Sequence, residues 1–304
     1  MVKMSINPRL IAIVGPTASG KTTLAIALAQ KFGGEIVSAD SRQLYRGMDI
    51  GTAKPSEAEC RAIPHHLIDI KDPDEDYAVA EYQHDAVAAI DDIIARGKVP
   101  FLVGGTGLYV RAVVENLDIP KTPAHPELRA EIERDIAREG LDATFKRLVA
   151  LDPDAAQVVD PKNPRRVVRA LEVALASGAP FTAQRTKSPP LFNTLVLGLN
   201  PPPGILRERI DRRVDEMFHA GFVDEVKTLM KKYGSSVPAF NAIGYREIID
   251  HLNGGLSIED AAAAIKLNTW HYAKRQVTWF KKYKPTYWVA STEEASTLVK
   301  DLLK

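Results

Sequence analysis

The sequence lacks several features that define whole classes of protein. It contains one cysteine, Cys60, which excludes an internal disulfide and argues against a metal site built on several thiolates. No apolar run approaches the ~18 residues that a membrane span needs, and we find no internal repeat or low-complexity tract. The apolar fraction of 45% and the charged fraction of 26% are ordinary for a globular protein. We therefore expect a folded protein of the reducing cytoplasm, without a membrane partner.

Net charge is also nearly absent, at +1, but the charged residues are unevenly placed. Residues 51–100 hold eleven acids and five bases. Between Asp260 and Glu293 there are six bases and no acid. A local basic surface is therefore compatible with the neutral total.

The pattern along the chain predicts an α/β fold with a helical insertion. The first half alternates apolar strands with helices, which is typical of a parallel sheet covered by helices. After Pro120, Pro123 and Pro126 the strands stop, three amphipathic helices follow, and a strand returns at 193–199. We predict a P-loop NTPase-like core formed by 1–119 and 190–304, and an all-helical insertion domain at 120–189. The other predicted strands are 10–14, 35–39, 66–70 and 99–103, and the predicted helices are 22–32, 82–96, 127–139, 141–151, 164–176, 204–233 and 258–284.

One motif carries the strongest functional signal. The segment Gly15-Pro16-Thr17-Ala18-Ser19-Gly20-Lys21-Thr22 fits G-x-x-x-x-G-K-[ST] between a predicted strand and a predicted helix. Its glycines let successive backbone N–H groups point at one anion, and the helix start adds the positive end of its dipole. Lys21 adds a mobile charge, and the Thr22 hydroxyl is a candidate ligand for Mg²⁺. The loop predicts a phosphate-bearing substrate without saying which one.

Two other turns follow predicted strands. P-loop enzymes usually place an acid at the end of an apolar strand to hold magnesium, and Asp40 is best placed for this, with Asp69 as a rival. The glycine-rich segment Gly104–Tyr109 follows another strand. Because the carboxyl ends of parallel strands line the ligand crevice, we expect Thr106 to lie near Thr22 and Asp40.

Basic residues cluster in three predicted helices. Arg165, Arg166 and Arg169 share a helix face, and such like charges repel unless an anion binds there or water solvates them. A second group at 207–213 has acids interspersed that neutralise part of it. In the last long helix, bases alternate with aromatics between 270 and 282, a composition that suits nucleic-acid backbone and stacked bases as well as solvated surface.

The ordered set of motifs resembles the tRNA dimethylallyltransferase family, whose members prenylate an adenine beside the anticodon. Eukaryotic relatives often append a zinc finger, whereas this chain holds one cysteine and is similar to the bacterial form. The resemblance covers nearly the whole chain and rests on the segments Gly15–Thr22, Asp40–Tyr45, Met48–Pro55, Gly104–Tyr109, Asn163–Glu172, Gly244–Glu247 and Tyr272–Gln276.

The resemblance implies transfer of a dimethylallyl group from dimethylallyl diphosphate to the exocyclic N6 of that adenine, with Mg²⁺ as cofactor and release of diphosphate. The loop Gly15–Thr22 would hold the diphosphate, Asp40 would be the general base assisted by Thr106, and Arg213 would bind the leaving group. We expect a monomer that binds the anticodon stem-loop of tRNA. The residues implied to contact tRNA are Asp40, Ser41, Arg42, Gln43, Thr106, Arg129, Arg165, Arg166, Val167, Val168, Arg169, Asn241, Ala242, Ile243, Gly244, Tyr245 and Arg246.

Three alternatives follow from the residues alone. The P-loop by itself also fits a kinase of a nucleoside or small metabolite. A prenyltransferase acting on free adenine nucleotide would leave the arginines at 165–169 and the basic C-terminal helix without a role. A non-catalytic RNA-binding module would leave the P-loop unexplained.

Overall fold

A six-stranded, all-parallel sheet forms the centre of the fold. The computed structural model describes residues 7–120, 125–184, 186 and 188–304. The strands are β1 (Arg9–Val14), β2 (Gly34–Ser38), β3 (His65–His66), β4 (Val99–Gly104), β5 (Asn193–Gly198) and β6 (Tyr287–Trp288). Their order across the sheet is β3-β2-β4-β1-β5-β6. The predicted parallel α/β fold is confirmed.

Helices and loops connect the strands of the described structure. None of them, within the described ranges, combines the length and the apolar character that crossing a membrane requires. The α-helices are α1 (Lys21–Phe32), α2 (Glu57–Ala62), α3 (Val79–Ala95), α4 (Gly107–Val114), α5 (Pro126–Glu139), α6 (Leu141–Leu151), α7 (Ala155–Val158), α8 (Pro164–Ser177), α9 (Pro203–His219), α10 (Phe222–Tyr233), α11 (Tyr245–Leu252), α12 (Ile258–Lys282) and α13 (Thr292–Leu303), and two 3₁₀ turns lie at Thr182–Gln184 and Pro238–Asn241.

The chain divides into two compact units. The first comprises residues 1–114 and 190–304 and contains the sheet, and the second comprises 115–189. Every element in the described part of the second unit is helical, from α5 to the 3₁₀ turn after α8. The second unit starts directly after α4, whereas the sequence placed this boundary at 120. Pro123, which contributed to that prediction, lies outside the described residues.

The first unit has a core on each face of its sheet. Side chains alternate along β1, so Leu10 and Val14 pack in one cluster with Tyr82 of α3, while Ile11 packs on the opposite face with Leu28 of α1. These residues are at most 1% exposed. Burial on both faces explains why the strand reads as an uninterrupted apolar run.

The second unit has a core of its own. Ile132 of α5, Leu148 of α6 and Val167 and Leu171 of α8 form one buried cluster. Burying side chains of this size stabilises a fold by roughly 1.5–3 kcal/mol each. The apolar face of α8 is therefore required inside the unit, and only its opposite face is available for binding.

Two predicted elements are wrong, and backbone conformation explains both. The predicted helix at 204–233 is two helices, α9 and α10, because Gly221 between them has a left-handed φ of 93°. The predicted strand at 66–70 ends at His66. Leu67 and Asp69 have left-handed φ angles of 62° and 55°, which a β-strand does not accommodate.

The sheet brings three loops to one edge. Val14 of β1 pairs with Gly104 of β4, and Val103 of β4 pairs with Ser38 of β2. The loops that follow β1, β4 and β2 therefore leave the sheet side by side at its carboxyl edge, which is where ligands bind in open parallel sheets.

Candidate active site

The loop between β1 and α1 is shaped as an anion cradle. Gly15 and Gly20 have φ angles of 150° and 94°, and a Cβ atom on Gly15 would lie 2.5 Å from the carbonyl oxygen of Leu199. No larger residue fits at position 15 without a backbone shift. Lys21 begins the helix and donates from Nζ to the carbonyl oxygen of Pro16 at 2.6 Å. The loop thus combines a helix N-terminus with a cation folded back over the turn.

Two predicted site residues, Asp40 and Arg213, act electrostatically on a third, Lys21. The pKa of Lys21 is lowered to about 8, mainly because burial disfavours the charged ammonium. The Asp40 carboxylate raises this pKa and the Arg213 guanidinium lowers it, so both groups act on Lys21. A bound anion would offset both the burial and the like charge of Arg213.

Hydrogen bonds join the loop that carries Asp40 to the loop that carries Thr106. Thr106 N donates to the carbonyl oxygen of Ala39 at 3.2 Å, and Ser41 N donates to Thr106 Oγ1 at 3.0 Å. Gly104 permits this approach, since a Cβ atom there would lie 2.1 Å from the carbonyl oxygen of Ala39. The loop geometry therefore sets Thr106 beside the residue that follows Asp40.

The Asp40 carboxylate is only partly engaged. Its Oδ1 accepts a hydrogen bond from Arg42 N at 2.9 Å, and neither of its oxygens has an ion-pair partner among the described residues. The side chain is partly exposed. A carboxylate that is oriented by one bond and otherwise free is able to accept a proton from a ligand.

Arg213 is a half-buried cation without a carboxylate partner in the described part of the chain. Burial lowers its pKa, and Glu216, one turn along α9, acts in the opposite direction. A cavity of about 450 Å³ includes Arg213, Arg209 and the phosphate-loop residue Ser19 in its lining. Positive charge therefore faces the phosphate loop from α9 as well as from Lys21.

Helix α12 supplies two site residues that sequence reasoning missed. Tyr272 has its pKa raised to about 12, first by burial and then by the Asp40 carboxylate, while Arg42, a hydrogen bond with Thr106 and Arg275 oppose the rise. Gln276, one turn later, is buried against the glycine turn after β4. Both lie in the segment Tyr272–Gln276, which entered the sequence analysis only through the family resemblance. The segment alone does not show which face of the helix contacts the site.

The first unit holds two groups of residues implied to contact tRNA. Gln43 Nε2 donates to the carbonyl oxygens of Thr52 and Ala53 at 3.3 and 3.2 Å, so its amide already supports the loop. Ala242 and Tyr245 are 6% and 0% exposed, and these side chains pack inside the protein. The exposed members on this unit are Asn241 and Arg246, with Ser41, Arg42, Gln43, Thr106 and Ile243 partly exposed.

The arginines of the second unit differ sharply in their partners. Arg129 Nη2 and Arg169 Nη1 donate to Glu172 Oε2 at 2.9 and 3.0 Å, and Glu172 is completely buried. The exposed side chains of Arg165 and Arg166 form no ion pair with the described residues. The implied contacts Val167 and Val168 are buried, at 0% and 5% exposure. Of the implied contacts at 165–169, only the arginines therefore have side chains at the surface.

Comparison with known proteins places the chain in a family. Residues 43–283 match the family model described as IPP transferase. A tRNA dimethylallyltransferase of Roseiflexus sp. (strain RS-1) is 50% identical over 274 residues, which is 90% of each chain.

Solved structures agree with this assignment. The tRNA isopentenylpyrophosphate transferase of Bacillus halodurans has a TM-score of 0.73 and 40% identity, with 97% of this chain and 96% of that one covered. A eukaryotic dimethylallyltransferase described as acting on tRNA has a TM-score of 0.77 and 33% identity, with 90% of this chain and 69% of that one covered. The chain belongs to the IPP transferase family.

Proposed function

We propose that this protein transfers a dimethylallyl group from dimethylallyl diphosphate to the exocyclic N6 of the adenine next to the anticodon of tRNA. The observation that carries the proposal is the juxtaposition of an anion cradle with an available carboxylate at one edge of the sheet. Lys21 of the cradle responds to the charges of both Asp40 and Arg213. The names of the family relatives support the same reaction.

The reaction divides between two sides of the site. N6 is a poor nucleophile because its lone pair is delocalised into the purine ring. Asp40 accepts the N6 proton as the new C1–N6 bond forms, which typically contributes about 10²–10⁴ in rate. The C1–O bond breaks at the same time, and its electron pair leaves with the diphosphate. Lys21, Arg213 and the loop amides stabilise the charge that develops on the leaving group.

Thr106 and Tyr272 orient the acceptor side. The Thr106 hydroxyl is already held by Ser41 N, and the neutral Tyr272 hydroxyl lies beside it. With its pKa raised to about 12, this phenol is protonated at neutral pH and well above it, and is able to donate a hydrogen bond. The adenine must leave its stack to enter such a site, so we expect base flipping.

Thr22 is the residue we propose for a magnesium ion. Within the described ranges no group of three or more His, Cys, Asp or Glu side chains is placed to hold a metal. Mg²⁺ bound chiefly by substrate phosphates and water fits this donor set, with the partly exposed Thr22 hydroxyl at the start of α1 as the protein ligand. When bound, the ion supplies charge neutralisation of the diphosphate.

The tRNA partner is proposed to bind as its anticodon stem-loop, through basic side chains that are exposed or partly exposed. The candidates are Arg42 and Arg246 on the first unit and Arg165 and Arg166 on the second. Phosphate contacts of this kind add affinity that falls with salt. We propose a monomer that acts in the cytoplasm, for which the single cysteine is suitable.

The test is a transfer assay with a matched pair of carboxylate variants. The protein, Mg²⁺ and labelled dimethylallyl diphosphate are incubated with unmodified tRNA, and digested RNA is analysed for N6-dimethylallyl-adenosine. We expect Asp40→Asn to lower kcat by about 10²–10⁴. Asp69→Asn is the control, because Asp69 is an exposed carboxylate paired with Lys54, and asparagine tolerates its left-handed backbone.

The outcomes separate this function from the kinase alternative. Label in tRNA with wild-type and Asp69→Asn protein, and its loss with Asp40→Asn, supports the proposal. A parallel reaction with labelled ATP and nucleoside acceptors tests phosphoryl transfer. Phosphate on an acceptor without prenylated tRNA would overturn the proposed function.

A further inference from the structure

A buried amide connects the two glycine-rich loops of the first unit. Gln276 of α12 accepts a hydrogen bond at Oε1 from Thr17 N in the phosphate loop, at 2.9 Å. Its Nε2 donates to the carbonyl oxygen of Gly105, in the turn after β4, also at 2.9 Å. The side chain is 6% exposed. One residue therefore satisfies a backbone donor of one loop and a backbone acceptor of the other.

The pairing requires both ends of an amide. Thr17 N–H needs an acceptor and the buried Gly105 carbonyl needs a donor, so a side chain with only one polarity leaves one of these two backbone groups without its partner. The fit is also tight, since a Cβ atom on Gly105 would lie 2.2 Å from Gln276 Nε2. The Gln276 amide occupies the space that a side chain at position 105 would fill.

The same turn continues to the carboxylate side of the site. Gly105 precedes Thr106, whose N–H donates to the Ala39 carbonyl oxygen and whose Oγ1 accepts from Ser41 N. Asp40 lies between these two partners in the chain. An unbroken series of hydrogen bonds and short peptide segments thus runs from the phosphate loop through Gln276 to the loop that carries Asp40.

We infer that Gln276 is a positioning residue that fixes the distance between the diphosphate cradle and the Asp40 loop. The inference rests on the proposed function and deepens it. Transfer requires C1 of the prenyl donor and N6 of the acceptor in near-attack geometry, and a displacement of about 1 Å costs on the order of 10²-fold in rate. Gln276 bonds to the phosphate loop directly and acts on the Asp40 loop through the turn after β4.

This role predicts a specific kinetic signature. Each substrate keeps its own binding loop when the bridge is removed, whereas their mutual alignment is lost. We expect Gln276→Leu to lower kcat by about 10- to 100-fold, while the KM values for dimethylallyl diphosphate and tRNA change by less than about threefold. Thr278→Ala is the matched control on the same helix, because Thr278 is exposed and its hydroxyl bonds only to its own helix, at Lys274 O.

A second variant distinguishes positioning from general destabilisation. Gln276→Glu keeps the shape of the side chain, but its carboxylate has no hydrogen to donate to the Gly105 carbonyl. When the carboxyl is protonated it regains a donor, so the kcat of Gln276→Glu relative to wild type should rise as pH falls from about 8 to about 5. Gln276→Leu should show no such recovery. Thermal unfolding of each variant accompanies the kinetics.

The outcomes are decisive in both directions. A reduced kcat with nearly constant KM values, together with acid recovery in Gln276→Glu alone, supports the inference. Unchanged kcat in Gln276→Leu, an effect confined to one KM, or no acid recovery would overturn it while wild-type transfer leaves the proposed function intact. Absence of transfer by the wild-type protein would instead overturn the proposed function, and this inference with it.

Discussion

Arginines in two regions of the molecule differ in their partners and therefore in their expected roles. In the second unit, Arg129 and Arg169 converge on the fully buried carboxylate of Glu172. In the first unit, Arg213 is half-buried beside the phosphate loop and has no carboxylate partner in the described chain. Arg129 and Arg169 compensate a buried carboxylate, so removal of that pairing would destabilise the fold. Arg213 is desolvated without a compensating carboxylate, which costs stability and makes it a candidate to bind an anion.

Arg213→Ala should produce the largest effect in this comparison. Removing a cation that faces the leaving group is expected to lower kcat by about 10²–10³, as for other groups that stabilise developing charge. Thermal stability should stay constant or rise, because the variant removes a charge that burial disfavours. Steady-state transfer kinetics and thermal unfolding measure the two quantities.

The control for Arg213→Ala is Lys227→Ala on α10. Lys227 is an exposed cation paired with Asp224 at 3.3 Å. Loss of stability without loss of kcat in Arg213→Ala would show that the arginine is structural and would remove the contrast between the two regions.

Glu172→Gln should show the opposite behaviour. The carboxylate accepts from Arg129, Arg169 and His125 N, at 2.8 to 3.0 Å, and the amide retains its size without its charge. We expect the free energy of unfolding, measured with urea, to fall by about 1–3 kcal/mol, moderated because both arginines are partly exposed. The kcat at saturating substrates should not change.

The Glu172 effect has a defined pH dependence. Burial would raise the pKa of this carboxyl, but the hydrogen bonds from Arg129, His125 N and Arg169 lower it overall. A lowered pKa gives stability that is present above the unfolded-state pKa and is lost as pH falls through the folded-state value. The difference between wild type and Glu172→Gln should therefore vanish in acid. A difference that persists there would contradict the ion-pair explanation.

Lys21 is a second desolvated cation at the phosphate loop, and burial lowers its pKa to about 8. The folded protein binds fewer protons than the unfolded chain between about pH 8 and 10.5, so this group makes stability rise with pH in that window. The affinity for dimethylallyl diphosphate should instead fall as pH rises, because the diphosphate binds the ammonium form of Lys21. The KM for dimethylallyl diphosphate should rise above pH 8 by up to about tenfold per pH unit.

Lys21→Arg checks the origin of that pH dependence. Guanidinium keeps its proton across the range, so the variant should have a flatter KM profile even if its KM is higher at pH 7. An equally steep rise in both proteins would assign the titration to another group.

The sequence predicted the sheet and the phosphate loop because both depend on local patterns. The apolar run of β1 and the spacing from Gly15 to Thr22 carry their own physical signals. From the rule that parallel strands end at one edge we expected Thr106 to lie near Thr22 and Asp40, and the register of β2 and β4 brings the loops of Asp40 and Thr106 together.

What the sequence did not show depends on long-range packing. Gln276 is separated by 259 positions from its partner Thr17. Its spacing from Ala273 and Phe280 places it on the buried face of α12 but does not show which loops it contacts. The pairing of Arg129 and Arg169 with Glu172 is equally hidden, because a cluster of arginines looks the same whether it faces a carboxylate or solvent. The burial of Tyr245 likewise became visible only in the folded chain.

The smallest effect is expected for Arg165 and Arg166, which have neither a buried carboxylate nor a catalytic cavity. If they contact tRNA phosphates, the double variant Arg165→Ala/Arg166→Ala should weaken tRNA binding several-fold. The slope of log Kd against log salt should fall by about 1 for each contact, measured from about 50 to about 200 mM salt. The kcat at saturating tRNA should stay unchanged.

Arg138→Ala is the matched control for that double variant, because Arg138 is an exposed arginine of the same unit already paired with Asp135 and Glu139. Its charge is neutralised locally, so its removal should leave the salt slope unchanged. Equal slopes in all three proteins would mean that Arg165 and Arg166 are solvated surface. The absence of an ion-pair partner would then indicate anion binding only for an arginine that is also desolvated, as Arg213 is.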